Sequence, residues 1–200
     1  MTLLVPLKPL ALAKSRLRGA VPPDQHEDLV LRLAVQTVRA ARAAAGVDRL
    51  IVITDDLLAA DRLGPYAEIA PDPGGGLNHA LRTVAAGRSG VVAAMPADLP
   101  ALRPDQLTEA LAAAEGCGTA RAFVPDAAGI GTVLLTARTG RRLEPLFGPD
   151  SAGAHLGSGA SRLDGDWPTL RRDVDTPADL AAVAELGWQW CPGGPVGAAR

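Results

Sequence analysis

Three aspartates and two lysines carry the clearest chemistry in this 200-residue sequence. Asp98 follows the apolar run VVAAM (91–95) and lies between Pro96 and Pro100, so a rigid turn holds its carboxylate. Such a carboxylate suits Mg²⁺, which takes one or two carboxylates plus phosphate oxygens. A turn or cap aspartate is the plainer reading. Asp173 and Asp175 fall in the run Asp173-Val174-Asp175-Thr176-Pro177. Strand alternation sends both side chains to one side, toward a shared metal cluster. Asp175 or Thr176 is equally suited to cap the helix that Pro177 starts.

Lys8, Lys14, Ser15 and Arg16 follow the first apolar run. Three cations there can neutralise a triphosphate and then its pyrophosphate leaving group. The chain holds 18 arginines and only these two lysines. Lysine kept against that bias marks places where a compact ammonium suits better than a planar fork. Gly74-Gly75-Gly76-Leu77-Asn78 lets backbone approach a flat ligand, and Asn78 offers an amide to a base edge or ribose. A plain turn before a helix explains the glycines as well. Other chemistries find no motif, since G-x-x-x-x-G-K-[ST], H-x-x-x-H, H-E-x-x-H and G-x-S-x-G are all absent. Cys117 and Cys191 are too few for a disulfide framework or a Cys-based zinc site.

The elements that must position these residues alternate. Apolar runs predict strands at 2–7, 49–54, 66–69, 91–95, 119–125, 132–137 and 169–175. Between them, helical patterns cover 24–45, 56–63, 79–86, 104–115 and 177–186. Asp24 and Glu27 form a capping-box pattern, and Leu29, Leu33, Val38 and Ala41 make an apolar stripe behind it. This order predicts a Rossmann-like α/β sheet covered on both faces. The 119–125 and 132–137 pair is joined too briefly for a parallel crossover and adds antiparallel pairing. Ligands of open α/β sheets bind beyond the carboxyl ends of the strands, which selects the loops 8–19, 71–78, 96–100 and 173–177. Residues 1–187 read as one domain and 188–200 as a mobile tail.

Composition narrows the partners. A formal net charge of −2 argues against a nucleic-acid partner. No apolar run approaches the ~20 residues needed to span a bilayer, so no membrane partner is expected. Lys8 and Lys14 follow the first apolar stretch instead of preceding it, unlike a secretory signal, and the expected location is cytoplasmic.

VPLKPLALAKSRL (5–17), GLNHAL (76–81), PADLPAL (96–102) and RRDVDTPADL (171–180) together resemble one family. It is the guanylyltransferase family of coenzyme F-420 biosynthesis, which acts on phosphoenolpyruvate or 2-phospho-L-lactate. The K-x-x-x-x-A-K-S-R-L stretch is the specific part, while D-x-D-T-P-x-D-L is shared by many nucleotidyltransferases of one fold. The resemblance implies a three-layer α/β/α domain of the nucleotide-diphospho-sugar transferase (GT-A-like) type, with a mixed, mostly parallel sheet. It implies that Leu7, Lys8, Lys14, Arg16, Gly75, Leu77 and Asn78 hold GTP. Asp98 would ligate Mg²⁺ together with Asp173 or Asp175, two ions in all, and Lys8, Lys14, Asp98 and Asp173 would be catalytic. Thr132, Gly148 and Ser151 would contact phosphoenolpyruvate, from Gly129-Ile130-Gly131-Thr132 and Phe147-Gly148-Pro149-Asp150-Ser151. This chain departs from the family at Ile130, where a threonine is usual, and at Ala154, where an arginine often precedes the histidine. The implied reaction is GMP transfer to the acid's phosphate. A homodimer and a transient contact with the downstream transferase of the pathway stay open as partners. Acceptors such as 3-phosphoglycerate, a sugar phosphate or molybdopterin also stay open, as does a nucleotide-binding regulatory subunit without catalysis.

Overall fold

The computed structural model describes residues 1–192. Seven strands form one sheet: β1 (Thr2–Pro6), β2 (Arg49–Ile53), β3 (Glu68–Ala70), β4 (Val92–Ala94), β5 (Arg121–Pro125), β6 (Thr132–Ala137) and β7 (Ser161–Arg162). Their order is β3-β2-β1-β4-β6-β5-β7. β6 alone runs against its neighbours, pairing antiparallel with β4 and with β5, while the other pairs are parallel. The short β5–β6 connection thus makes the expected antiparallel pair.

Among the described residues there are six helices, α1 (His26–Ala43), α2 (Leu57–Leu63), α3 (Leu77–Ala85), α4 (Pro104–Gly116), α5 (Ser151–Gly157) and α6 (Pro177–Glu185), of which the first five cover the sheet. Strand alternation divides the core. Leu3, Val5, Leu50, Val52 and Ala93 pack on the face covered by α1, α2 and α4. Leu4, Ile51, Ile53, Val92 and Ala94 pack on the opposite face, under α3 and α5. Both faces of β1, β2 and β4 are apolar because both are covered, which is why these strands read as continuous apolar runs. A third cluster joins Leu17, Val21, Leu29 and Leu33 to Val183 of α6. Trp188 and Trp190, which open the segment read as a tail, pack against it. Residues 193–200 of that segment lie outside the described residues.

Two elements differ from the sequence reading. Pro23–Gln25 forms a 3-10 turn, so α1 starts at His26 with Gln25 as an uncapped N-terminal flank, and the Asp24–Glu27 capping box does not form. Residues 169–175 are not a strand. Leu170 and Val174 are buried there, but four residues apart, and the backbone bonds loops in place of a ladder. Arg171 O accepts from Ala127 N–H at 2.7 Å, and Val174 N–H donates to Asp98 O at 3.1 Å. The last strand is instead the two-residue β7. No helix of the described residues is long and apolar enough to cross a membrane.

Candidate active site

The carboxyl ends of β1, β3 and β4 open into one cavity of about 550 Å³. Leu7, Lys8, Lys14, Ser15 and Arg16 line it from the loop after β1, and Asp72, Gly76 and Leu77 from the loop before α3. Met95, Pro96, Ala97 and Asp98 contribute from the loop after β4, Phe147 and Asp175 also line it, and Val30, Leu33, Ala80 and Leu81 add apolar wall. This volume falls within the ~300–1,000 Å³ usual for small-molecule clefts.

Lys14 occupies the left-handed region at φ 52 and ψ 43, at the entrance to the 3-10 turn Ser15–Leu17. Its ammonium donates to Asp98 Oδ2 and, at 2.5 Å, to Asp175 Oδ1. Burial pulls the Lys14 ammonium down, but Asp98 and then Asp175 outweigh it and hold it above its ordinary value. Asp98, Asp173 and Asp175 bring one carboxylate oxygen each within 4.8 Å of one another. Burial, followed by repulsion from Asp98 and Asp175, pushes the Asp173 carboxyl up to about 7, with Lys14 opposing.

These groups fit a divalent cation. Three carboxylates against one ammonium leave two formal negative charges, which one divalent ion balances. Asp98 Oδ1 is buried and has no hydrogen-bond partner, a costly state that a cation relieves. An all-oxygen donor set suits Mg²⁺. The capping question at Asp175 is also decided. Thr176 and Asp179 form the capping box of α6. Asp179 Oδ2 further accepts from Asp175 N–H at 3.1 Å, so the cap orients Asp175 and leaves its carboxylate for the cluster.

The other sequence candidates lie differently. Gly75 sits at φ 72, and a Cβ there would meet the His79 ring at 2.9 Å, so this position needs glycine for the turn itself. Gly75 and Asn78 are not among the lining residues. Asn78 instead donates through Nδ2 to Phe147 O and accepts Phe147 N–H on Oδ1, both at 2.9 Å. Thr132, Gly148 and Ser151 are also absent from the cavity lining. Thr132 and Ser151 are buried, and the Thr132 hydroxyl pairs with His155 Nδ1 at 2.9 Å. Leu146 N–H donates to His155 Nε2 at 3.0 Å, which leaves the ring proton on Nδ1. Burial lowers the His155 pKa to about 4, so the imidazole is neutral. Sequence reasoning passed over His155, Asp72 and Asp179. Asp72 left a signal in its place at the carboxyl end of a strand, and Asp179 left one as the acidic residue three after Thr176, a capping-box spacing.

Comparison with known proteins gives a consistent set of likenesses. The model of the family described as "Guanylyl transferase CofC like" matches residues 1–162. The phosphoenolpyruvate guanylyltransferase of Salinispora arenicola is 53% identical over 189 residues, spanning 93% of this chain and 88% of that protein. Its counterpart of the same name from Geodermatophilus obscurus is 51% identical over 196 residues, spanning 93% and 89%. Among solved structures, a nucleotidyl transferase from Methanothermobacter thermautotrophicus superposes with a TM-score of 0.61 at 19% identity. That match covers 92% of this chain and 95% of the other, and it speaks to the fold alone.

Proposed function

The chain belongs to the CofC-like guanylyl transferase family, and from that premise we infer that it transfers GMP from GTP to the phosphate of phosphoenolpyruvate. The products are enolpyruvoyl-2-diphospho-5'-guanosine and pyrophosphate, a step of coenzyme F-420 biosynthesis. The observation that carries this reading is the meeting of Lys14, Asp98, Asp173 and Asp175 beside the cavity. Relatives at about half identity that bear the name phosphoenolpyruvate guanylyltransferase favour that acid over 2-phospho-L-lactate and 3-phosphoglycerate.

An oxygen of the acceptor phosphate attacks the α-phosphorus of GTP in line. A new P–O bond forms as the bond to the β-phosphate breaks, and the electron pair leaves with pyrophosphate. The acceptor phosphate is already anionic at neutral pH, so no general base is needed. Catalysis then rests on positioning and on charge placed where negative charge gathers. Lys8, Lys14 and Arg16 face the triphosphate, while Leu7 and Leu77 bound the nucleoside. Gly75 shapes the turn that delivers Leu77. Asp98, Asp173 and Asp175 would hold Mg²⁺, two ions when both substrates are present. When bound, Mg²⁺ supplies charge neutralisation along the phosphates and activates the attacking oxygen. Thr132, Gly148 and Ser151 make the acceptor subsite. The domain that does this is 1–187, working in the cytoplasm.

Pyrophosphate release from the purified chain tests the reading, with GTP, Mg²⁺ and each acid in turn against a control without acid. Release with phosphoenolpyruvate is expected. Release only with another acid reassigns the acceptor. Release only with CTP, or none at all, overturns the guanylyl transfer.

A further inference from the structure

Residues 144–150 join the two halves of the proposed site. Phe147 lines the nucleotide cavity, whereas Gly148 belongs to the turn that leads to Ser151. Among the described residues, no N–H of this segment donates to a backbone carbonyl. Pro145 and Pro149 have no N–H to offer. Glu144, Gly148 and Asp150 all take positive φ, at 48, 145 and 52. A chain so short of backbone support samples many conformations unless side chains hold it.

Two side chains do. Asn78 of α3 closes a double hydrogen bond on Phe147, one bond to its N–H and one to its carbonyl. His155 of α5 accepts the N–H of Leu146 while its other nitrogen bonds the Thr132 hydroxyl. The Phe147 ring also rests edge-on against the imidazole, with centroids 5.3 Å apart at 77°. The adjacent N–H groups of Leu146 and Phe147 are thus each held by a side chain from a different helix. An Asn78 amide engaged at both its oxygen and its nitrogen is built to hold a loop before it reads a base.

We propose that Asn78 and His155 are positioning residues. Together they pin Leu146 and Phe147, so that one segment walls the nucleotide cavity and presents Gly148 and Ser151 to the acceptor acid. The kinetic side of this inference rests on the guanylyl transfer proposed above, whereas the pinning itself does not.

Amide hydrogen exchange at Leu146 and Phe147 in the full chain reads the pins directly. Both amides are expected to be protected in the wild type. Asn78→Leu should speed exchange at Phe147 by about tenfold or more, and His155→Asn should do the same at Leu146. His155→Gln should keep Leu146 protected, because its Oε1 reaches the place of Nε2. Wild-type amides that exchange as fast as an open loop overturn the proposal, whatever the enzyme does. In turnover, Asn78→Leu and His155→Asn should raise KM for the acid about tenfold, with a smaller change in kcat. His155→Gln should stay near the wild type, a split that loss of folding would not produce. The contrary result is Asn78→Leu losing preference for GTP over CTP with KM for the acid unchanged. That assigns Asn78 to the base and overturns its pinning role. Absence of pyrophosphate release by the wild type with every acid sinks the functional reading, and exchange still decides the pins.

Discussion

At the scale of single residues, the acidic cluster sets what the protein can bind and at what pH. Asp98→Asn keeps the shape of the turn and the partner of Lys14 but removes a charge from the proposed metal set. Turnover should fall by about a thousandfold or more while the melting temperature stays close to the wild type. Near-normal turnover in that variant removes Asp98 from the metal ligands. Asp173 makes a signed prediction. With its carboxyl raised from 3.8 to about 7, the folded metal-free protein keeps a proton there that the unfolded chain has released. Stability without metal therefore falls as pH rises through that window. Asp173→Asn removes this loss, so its metal-free melting temperature at pH 8 should exceed the wild type by about 3 °C. The rise that Mg²⁺ induces should vanish in the same calorimetry, and in the wild type Mg²⁺ should bind more tightly as pH climbs past 7. A variant that melts lower at pH 8 and still responds to Mg²⁺ contradicts both. Lys14 and Asp98 were legible in the sequence because each lies in a loop that follows a strand, whereas Asp173 and Asp175 were picked from the alternation of a strand that does not form and reach the cluster through the Val174 N–H bond to Asp98 O. The bonds of Asn78 and His155 were not. Asn78 meets a backbone 69 residues away, and no local pattern encodes such a meeting.

At the scale of elements, the capping box of α6 does two jobs. Asp179 Oδ2 accepts from Thr176 N–H at 2.8 Å and from Thr176 Oγ1 at 2.8 Å, besides the N–H of Asp175. Asp179→Ala should cost about 1 kcal/mol of stability, the usual worth of a cap. It should lower the melting temperature by about 3 °C. Because the Asp175 backbone loosens with it, the Mg²⁺ needed for half-maximal turnover should rise as well. A drop in melting temperature alone would mean that the cap supports the helix without orienting the ligand. The strands β1, β2 and β4 were readable because burial on both faces leaves continuous apolar runs in them, behind Thr2 in β1 and Arg49 in β2. Residues 169–175 misled for a related reason. Leu170 and Val174 are as buried as strand residues, but Leu170 packs into the core under α4 and Val174 into the third cluster, and apolar content cannot tell a ladder from a buried loop. β7 escaped notice because two residues are too few for any period.

For the whole molecule, the third apolar cluster ties the far end of the chain to the loop after β1. Leu17 and Val21 of that loop share it with Leu29 and Leu33 of α1, and Trp188 and Trp190 pack on its edge. Trp188→Ala should therefore cost about 1–2 kcal/mol, less than a fully buried ring. It should also raise KM for GTP, since Leu17 anchors the turn that delivers Lys14. An unchanged KM alongside a lower melting temperature would confine the cluster to a structural part. The two-faced core and the site at the carboxyl ends of the strands followed from alternation alone, whereas this closure depended on which distant apolar residues meet. One further consequence concerns handling. Lys8 and Lys14 are the chain's whole complement of lysine, and both face one cavity. Lys14 is shielded by its two carboxylates, whereas Lys8 is exposed. Amine-coupled dyes, aldehyde fixation and immobilisation on activated esters, which elsewhere scatter over a surface, will here fall on two amines, the Met1 α-amine beside Asp48 and Lys8 at the doorway of the enzyme. A thiol-directed label on the exposed Cys191 leaves that doorway open.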